Sequence, residues 1–302
     1  MTVEALNSGF HALVDGGAKL RQLKSGFQFT EGPVWHPRGG FLVFSDIPAS
    51  TRWRYDGKSF SEHAKPSNMG NGMTYDRQMN LLVCEHASSS VARFRGGESG
   101  QREIVAHSFE GKELNSPNDI VVAKDSAIYF TDPTYGRMPV FGVERRSELG
   151  FQGVYRVAPE GGPPQLLVPR EMFTQPNGLC FSPDESLLYV NDTEQTNIRV
   201  FSLENGALTN MRVFASGITD PAKPGAPDGM KCDAEGNIWV TAPAGIWVYA
   251  PSGRLIGKIA VPEFVANFHW GDKDWRTLFI TASTSLYALD IKVGPRREAY
   301  MS

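Results

Sequence analysis

The sequence is sparing in several features that would otherwise assign a class. It has three cysteines in 302 residues, Cys84, Cys180 and Cys232, far apart and with no C-x-x-C spacing. That argues against a disulfide framework or a cysteine zinc site and for reduced, buried thiols. Lys and Arg number 30 against 33 Asp and Glu, a formal net charge of −3, without the basic excess or stripe of a nucleic-acid binder. No stretch approaches the roughly 18 consecutive apolar residues of a membrane span, so no membrane partner is expected. G-x-S-x-G, H-E-x-x-H and G-x-x-x-x-G-K-[ST] are all missing, which opposes a serine-triad esterase, a zincin or a phosphate-binding loop. The N-terminal run MTVEALNSGFHALVDGG has neither a basic nor an apolar signal region, which predicts a cytoplasmic location. Helical periodicity is scarce throughout.

What the chain does have is a repeat. With 41% hydrophobic residues, 31 Gly and 20 Pro it is globular and long enough to bury a full core. Six runs resemble one another: FLVFSD (41–46), LLVCEH (81–86), AIYFTD (127–132), LLYVND (187–192), NIWVTA (237–242) and TLFITA (277–282). Each is rich in β-branched, Leu or aromatic residues and ends in small or polar ones, so each reads as a strand. Turn-forming segments such as HPRGG, SPDES and DAEGN precede them. Another apolar run lies before each turn, a third follows the central run, and a fourth follows in several units, as in EIVAHS (103–108), QLLVPR (165–170) and RVFASG (212–217). Four antiparallel strands per unit, repeated six times, predict an all-β, six-bladed β-propeller forming one domain over 1–302. The spare run KLRQLKS (19–25) is expected to supply the outer strand of the last blade and close the ring.

One position of the repeat stands apart chemically. Alignment on the central strands puts Glu31, Asn71, Asn118, Asn177, Asp228 and Asn267 at the start of the innermost strands. Asx residues favour strand starts and turns for backbone reasons, which accounts for Asn-Gly but not for Glu31. Innermost strands surround the central channel of a propeller, so these six side chains should ring one mouth of it. Unpaired carboxylates are costly there, and a hard cation relieves the cost. Oxygen-only ligands with two carboxylates suit Ca²⁺ or another hard divalent ion.

The same register brings the ends of the second strands, Asp46, His86, Asp132 and Asp192, to that rim. A lone His at a strand end is also commonly a hydrogen-bonded structural residue. In the third unit the connection from second to third strand is long, PTYGRMPVFGVERRSELGFQ (133–152). Loops of this length are often functional lids, with a surface insertion as the alternative. Tyr135 and Arg137 at its start are the candidates for ligand contact.

The segments FTEGPVW (29–35), NGMTYDRQMNLLVCEH (71–86), NSPNDIVVAKDSAIYFTDPTYG (115–136), ELGFQGVYRV (148–157), QPNGLCFSPDESLLYVND (175–192) and PDGMKCDAEGNIWV (227–240) occur in an order that resembles the gluconolactonase and regucalcin (senescence marker protein) family. The microbial gluconolactonase branch is the most similar. The resemblance implies a divalent metal, Ca²⁺ before Mg²⁺, Mn²⁺ or Zn²⁺, held by Glu31, Asn177 and Asp228, with Asn118 as a further ligand or substrate contact. It implies that Asp228 is the catalytic acid/base and that the reaction is hydrolysis of sugar lactones, with Asn71, His86, Asn118, Asp132, Tyr135 and Arg137 as substrate contacts. Two departures touch substrate identity. Ser116 stands where the regucalcin-type branch often has Arg, and Ser88, Ser89 and Ser90 stand where gluconolactonases often carry a basic pair.

These readings predict a metal-dependent lactonase with a small-molecule substrate, monomeric or weakly oligomeric. The rivals are a phosphotriester hydrolase on the same metal site and a non-enzymatic calcium-binding scaffold, since a propeller alone does not specify a function.

Overall fold

The computed structural model describes residues 2–97 and 99–301. Six antiparallel blade sheets follow one another along the chain, and a two-stranded sheet of Ser108–Phe109 and Lys112–Glu113 lies between the second and the third. Blade one contains Thr30–His36, Phe41–Asp46, Thr51–Tyr55 and Phe60–Ala64. Blade two contains Gly70–Tyr75, Leu81–Glu85, Ser90–Arg95 and Gln101–Ala106. Blade three contains Ile120–Val122, Ile128–Asp132, Gly153–Val157 and Gln165–Leu166. Blade four contains Pro176–Phe181, Leu187–Asp192, Asn197–Glu204 and Ala207–Ser216. Blade five contains Met230–Cys232, Ile238–Ala242, Gly245–Tyr249 and Leu255–Ala260. Blade six contains Val265–Gly271, Thr277–Ala282 and Ser285–Asp290. Among the described residues, helix is confined to three short 3₁₀ turns.

Arg21–Ser25 pairs antiparallel with Ser285–Asp290 and completes blade six, as the spare N-terminal run predicts. The innermost strands of blades six and one pack together, so the ring is closed. An unforeseen strand, Val3–Ala5, pairs with Leu255–Ala260 and gives blade five a fifth strand. It covers an edge that would otherwise expose unpaired backbone groups.

Apolar residues of the strands fill the gaps between blades. Trp35 of blade one stacks on Phe279 of blade six at 5.6 Å, and Trp239 meets Trp270 edge-on at 5.4 Å across blades five and six. At the far end of the channel the C-terminal segment folds beneath the inner strands. Arg296 donates through its backbone to Cys232 O (2.9 Å) and through Nε to Ser182 O (3.1 Å). Glu298 accepts from Thr74 Oγ1 (3.2 Å), and the Tyr300 hydroxyl pairs with His269 Nε2 (3.1 Å). The segment thereby bridges blades two, four, five and six.

At the opposite mouth a belt of hydrogen bonds fixes the ring residues. Four of their carbonyls are held from neighbouring strands: Asn71 O by Ser45 Oγ (3.1 Å), Asn118 O by Gly72 N–H (2.8 Å), Asn177 O by Thr131 Oγ1 (2.7 Å) and Asp228 O by Asn191 Nδ2 (2.7 Å). Pairing registers slip at this level in blades one, two, four and six, and such bulges re-aim side chains. With the carbonyls engaged sideways, the side chains are left to face the axis. The residue after the ring position must be small in the first two blades. A Cβ on Gly32, whose φ is +54°, would lie 1.9 Å from Asn71 O, and one on Gly72 would lie 2.4 Å from Asn118 O.

Candidate active site

The ring mouth opens into a cavity of about 520 Å³ lined by five of the six ring residues, Glu31, Asn71, Asn118, Asn177 and Asp228. Asn267 is outside the lining. Its Nδ2 donates to Glu31 Oε2 (3.0 Å), while its Oδ1 accepts from Phe268 N–H (2.9 Å) and from Lys231 Nζ (3.4 Å). The Gly32 N–H also donates to Glu31 Oε2.

The charges are crowded. Burial, and then the Asp119 carboxylate, push the Glu31 carboxyl up to about 7. Burial, and then Glu31 and Asp119, hold Asp228 well above the usual carboxylate range. Lys231 is buried among them with Nζ 3.3 Å from Asp119 Oδ2. Burial opposes its charge, but Asp119 and other acidic neighbours outweigh it, and its pKa is raised. Fully ionised, three carboxylates against one ammonium leave the cluster at −2. Two amide oxygens, Asn71 Oδ1 and Asn177 Oδ1, are buried without a hydrogen-bond partner. Asn177 is fixed by its other end, where Nδ2 donates to Thr193 Oγ1 (3.1 Å). Orphaned amide oxygens beside two repelling carboxylates fit a hard divalent cation such as Ca²⁺. The described residues hold no metal-ligating group of three or more His, Cys, Asp and Glu; the donors here are two carboxylates and amides.

His86 also lines the cavity. Its Nδ1 lies 2.7 Å from Phe141 O, which can only accept, so Nδ1 carries the proton and Nε2 accepts from Asn71 Nδ2 (3.1 Å). Burial pushes its pKa down to about 4, so the ring is neutral. Tyr135 and Phe141 of the long connection line the cavity too, and the buried Tyr135 hydroxyl makes no hydrogen bond of good geometry.

Two residues expected at the substrate lie elsewhere. Asp132 accepts the N–H groups of Asn115 (2.9 Å) and Ser116 (2.8 Å), and burial pushes its pKa up to about 7. Asp46 does the same for Gln28 and Phe29, and Asp192 for Thr174 and Gln175. In all three blades the carboxylate ties down the two backbone amides at offsets −3 and −2 from the ring residue. His86 holds that repeat position in blade two and faces the cavity instead. Arg137 is buried, donating to Asn115 O (2.8 Å), Leu114 O (2.6 Å), Arg146 O (2.5 Å) and Glu113 (2.7 Å). It anchors the long loop with four of its five N–H groups and is not among the cavity-lining residues.

The cavity also takes residues that motif reading passes over: Phe29, Ile47, Thr193, Glu194, Ala226, Phe264 and Ser283. The repeat carries a signal for several of them. Ile47, Thr193 and Ser283 each follow directly on a second strand, and Phe29 and Ala226 lie two residues before a ring position.

Residues 29–284 match the family described as the SMP-30/Gluconolactonase/LRE-like region. The chain belongs to that family. It is 34% identical to the gluconolactonase of Zymomonas mobilis subsp. mobilis, over 93% of this chain and 83% of that one. It is 26% identical to a pentonolactonase of Haloferax volcanii, over 84% and 81% of the two chains. A solved gluconolactonase from Xanthomonas campestris superposes with a TM-score of 0.88 at 33% identity, covering 96% of this chain and 95% of that one.

In this member of the SMP-30/gluconolactonase family, the serines at the departures have structural partners. Ser116 Oγ donates to Pro133 O (2.6 Å) and accepts from Gly136 N–H (2.9 Å), which pins the root of the long loop. Ser89 Oγ donates to Asn115 O (2.6 Å), and Ser88 and Ser90 bond Glu85. Among the fifteen lining residues there is no Lys or Arg.

Proposed function

We propose that this chain hydrolyses sugar lactones with a divalent cation, Ca²⁺ by preference, held by Glu31, Asn177 and Asp228, with Asn118 as a further protein ligand. The observation that carries this reading is the convergence of two buried carboxylates and partnerless amide oxygens on one cavity. The lactonases matched over most of the chain support the reaction class. When bound, a divalent cation supplies Lewis-acid polarisation of a carbonyl and a lowered pKa for water.

The remaining work falls to the chain. One Asp228 carboxylate oxygen takes a proton from the attacking water as its oxygen bonds to the lactone carbonyl carbon. The same carboxyl returns the proton to the ring oxygen as the ring C–O bond breaks, so water is consumed and a hydroxy acid forms. Burial beside Glu31 raises the proton affinity of Asp228 in the cation-free chain, and a bound cation would lower it again and leave the carboxylate ionised to accept a proton. Glu31, held by Asn267 and Gly32, and Asn177, held by Thr193, need little reorganisation to act. The Asn71 amide oxygen and the Tyr135 hydroxyl provide hydrogen-bonding groups for the substrate, and the neutral His86, engaged at both ring nitrogens, orients the Asn71 amide. Asp132 and Arg137 contribute indirectly, by fixing the segments that carry Asn118 and Tyr135.

The test is turnover of glucono-1,5-lactone beside a phosphotriester, with Ca²⁺, Mg²⁺, Mn²⁺, Zn²⁺ or EDTA. Lactone hydrolysis that EDTA abolishes and Ca²⁺ restores is expected. Metal-dependent phosphotriester turnover without lactone turnover would reverse the assignment, and the absence of both would remove it.

A further inference from the structure

The wall of the cavity differs sharply from its floor. Three half-buried phenylalanines form a collar above the ring: Phe29 ahead of blade one, Phe141 from the long loop and Phe264 ahead of the blade-six ring residue. Phe29 meets Phe141 edge-on with centroids 4.9 Å apart and lies 6.2 Å from Phe264. Ile47 and Ala226 extend the apolar surface. The charged lining residues are Glu31, Asp228 and Glu194, all acidic. The guanidinium groups at the loop root are engaged elsewhere. Arg137 binds three backbone carbonyls and Glu113, and Arg145 binds Glu113, Ser89 and the carbonyls of His86 and Val143. Away from the cation proposed at the ring, a phosphate or carboxylate on the substrate would find no basic side chain on the lining and would face Glu194. An alkyl or aryl group would instead lose water against ring faces already exposed to the cavity.

We propose that the Phe29–Phe141–Phe264 collar makes this cavity selective for uncharged lactones bearing an apolar alkyl or aryl substituent, over phosphorylated ones and beyond plain sugar lactones. The proposal rests on the lactonase reading for its chemistry and on the collar for its selectivity. Hydrolysis is the step already balanced above. The substituent stays outside the bonds that change, and its burial against the collar raises kcat/KM.

The test uses the full chain with Ca²⁺ and compares three δ-lactones: glucono-1,5-lactone, its 6-phosphorylated form and a lactone with a five-carbon alkyl tail. A second arm measures binding of two unreactive δ-lactams, with and without the same tail, by calorimetry. The alkyl lactone should exceed the phosphorylated lactone in kcat/KM by at least about tenfold, since a few methylenes in an apolar pocket discriminate on that scale. The Phe141→Ser variant keeps the carbonyl that His86 uses. It should lower the alkyl-to-gluconolactone kcat/KM ratio and the tailed lactam's affinity, each by about tenfold. Equal turnover of the phosphorylated lactone, or a tailed lactam that binds no tighter than the plain one, overturns the proposal while leaving gluconolactone hydrolysis intact. If no lactone is hydrolysed but the tailed lactam binds tightly and F141S weakens it, the reaction assignment falls and the collar's selectivity stands.

Discussion

The Glu31→Gln substitution should make the cation-free protein more stable while removing its response to Ca²⁺. Glu31 is 2% exposed, and its carboxyl sits at about 7 where an ordinary glutamate has 4.5. Below about pH 4.5 it is protonated in both folded and unfolded chains and costs nothing. Between 4.5 and 7 the unfolded chain gives up its proton first, so stability falls as pH rises. Above 7 the whole cost is present, about 3 kcal/mol. The amide introduced by E31Q could still accept from Asn267 Nδ2 and Gly32 N–H through its carbonyl oxygen, so those contacts need not be lost. Relief of the cost should raise the melting temperature in EDTA by about 5 °C at pH 8 for a chain of this size, and by little at pH 5. Ca²⁺ at a hundred times its Kd should add about 2.7 kcal/mol to the wild type and far less to E31Q. Thermal denaturation from pH 5 to 8.5, in EDTA and in Ca²⁺, reads all four quantities. An E31Q protein no more stable than wild type in EDTA at pH 8, or an undiminished Ca²⁺ shift, would refute the electrostatic account of the ring.

Asp228→Asn should keep a native circular dichroism spectrum while losing lactone turnover by about 10²–10⁴-fold; retained turnover would move the acid/base role elsewhere. Gly72→Ala places a methyl 2.4 Å from Asn118 O and 2.8 Å from Asp119 Cα, both backbone atoms, and should cost about 1–3 kcal/mol in urea unfolding. Arg137→Ala strips the carbonyls of Leu114 and Arg146 of their donor and leaves Asn115 O with Ser89 Oγ alone. It should speed hydrogen exchange across 133–152 well before global stability falls.

The propeller and its ring residues could be read from the sequence because both follow from repetition. The strand quartet recurs six times, and an oxygen-bearing side chain opens each innermost strand. What escaped depends on contacts that repetition does not encode. Asn267 looks like its five counterparts, but Lys231 and Glu31 draw its amide aside, and Lys231 itself is fixed by Asp119, 112 residues away in the chain. Asp132 read as a rim ligand because its backbone position is right, yet its carboxylate is taken up by amides on the segment entering the same blade. Arg137 has the charge of a ligand contact, but three backbone carbonyls and Glu113 absorb it. The aromatic collar draws on three separate segments, so no local pattern announces it. Val3–Ala5 is too short to show alternation before its partner strand is known.

The C-terminal segment lying under the inner strands has a kinetic corollary. Arg296, Glu298 and Tyr300 tie blades two, four, five and six together from below, so none of these blades can open alone without giving up its hold on the segment, which should slow unfolding.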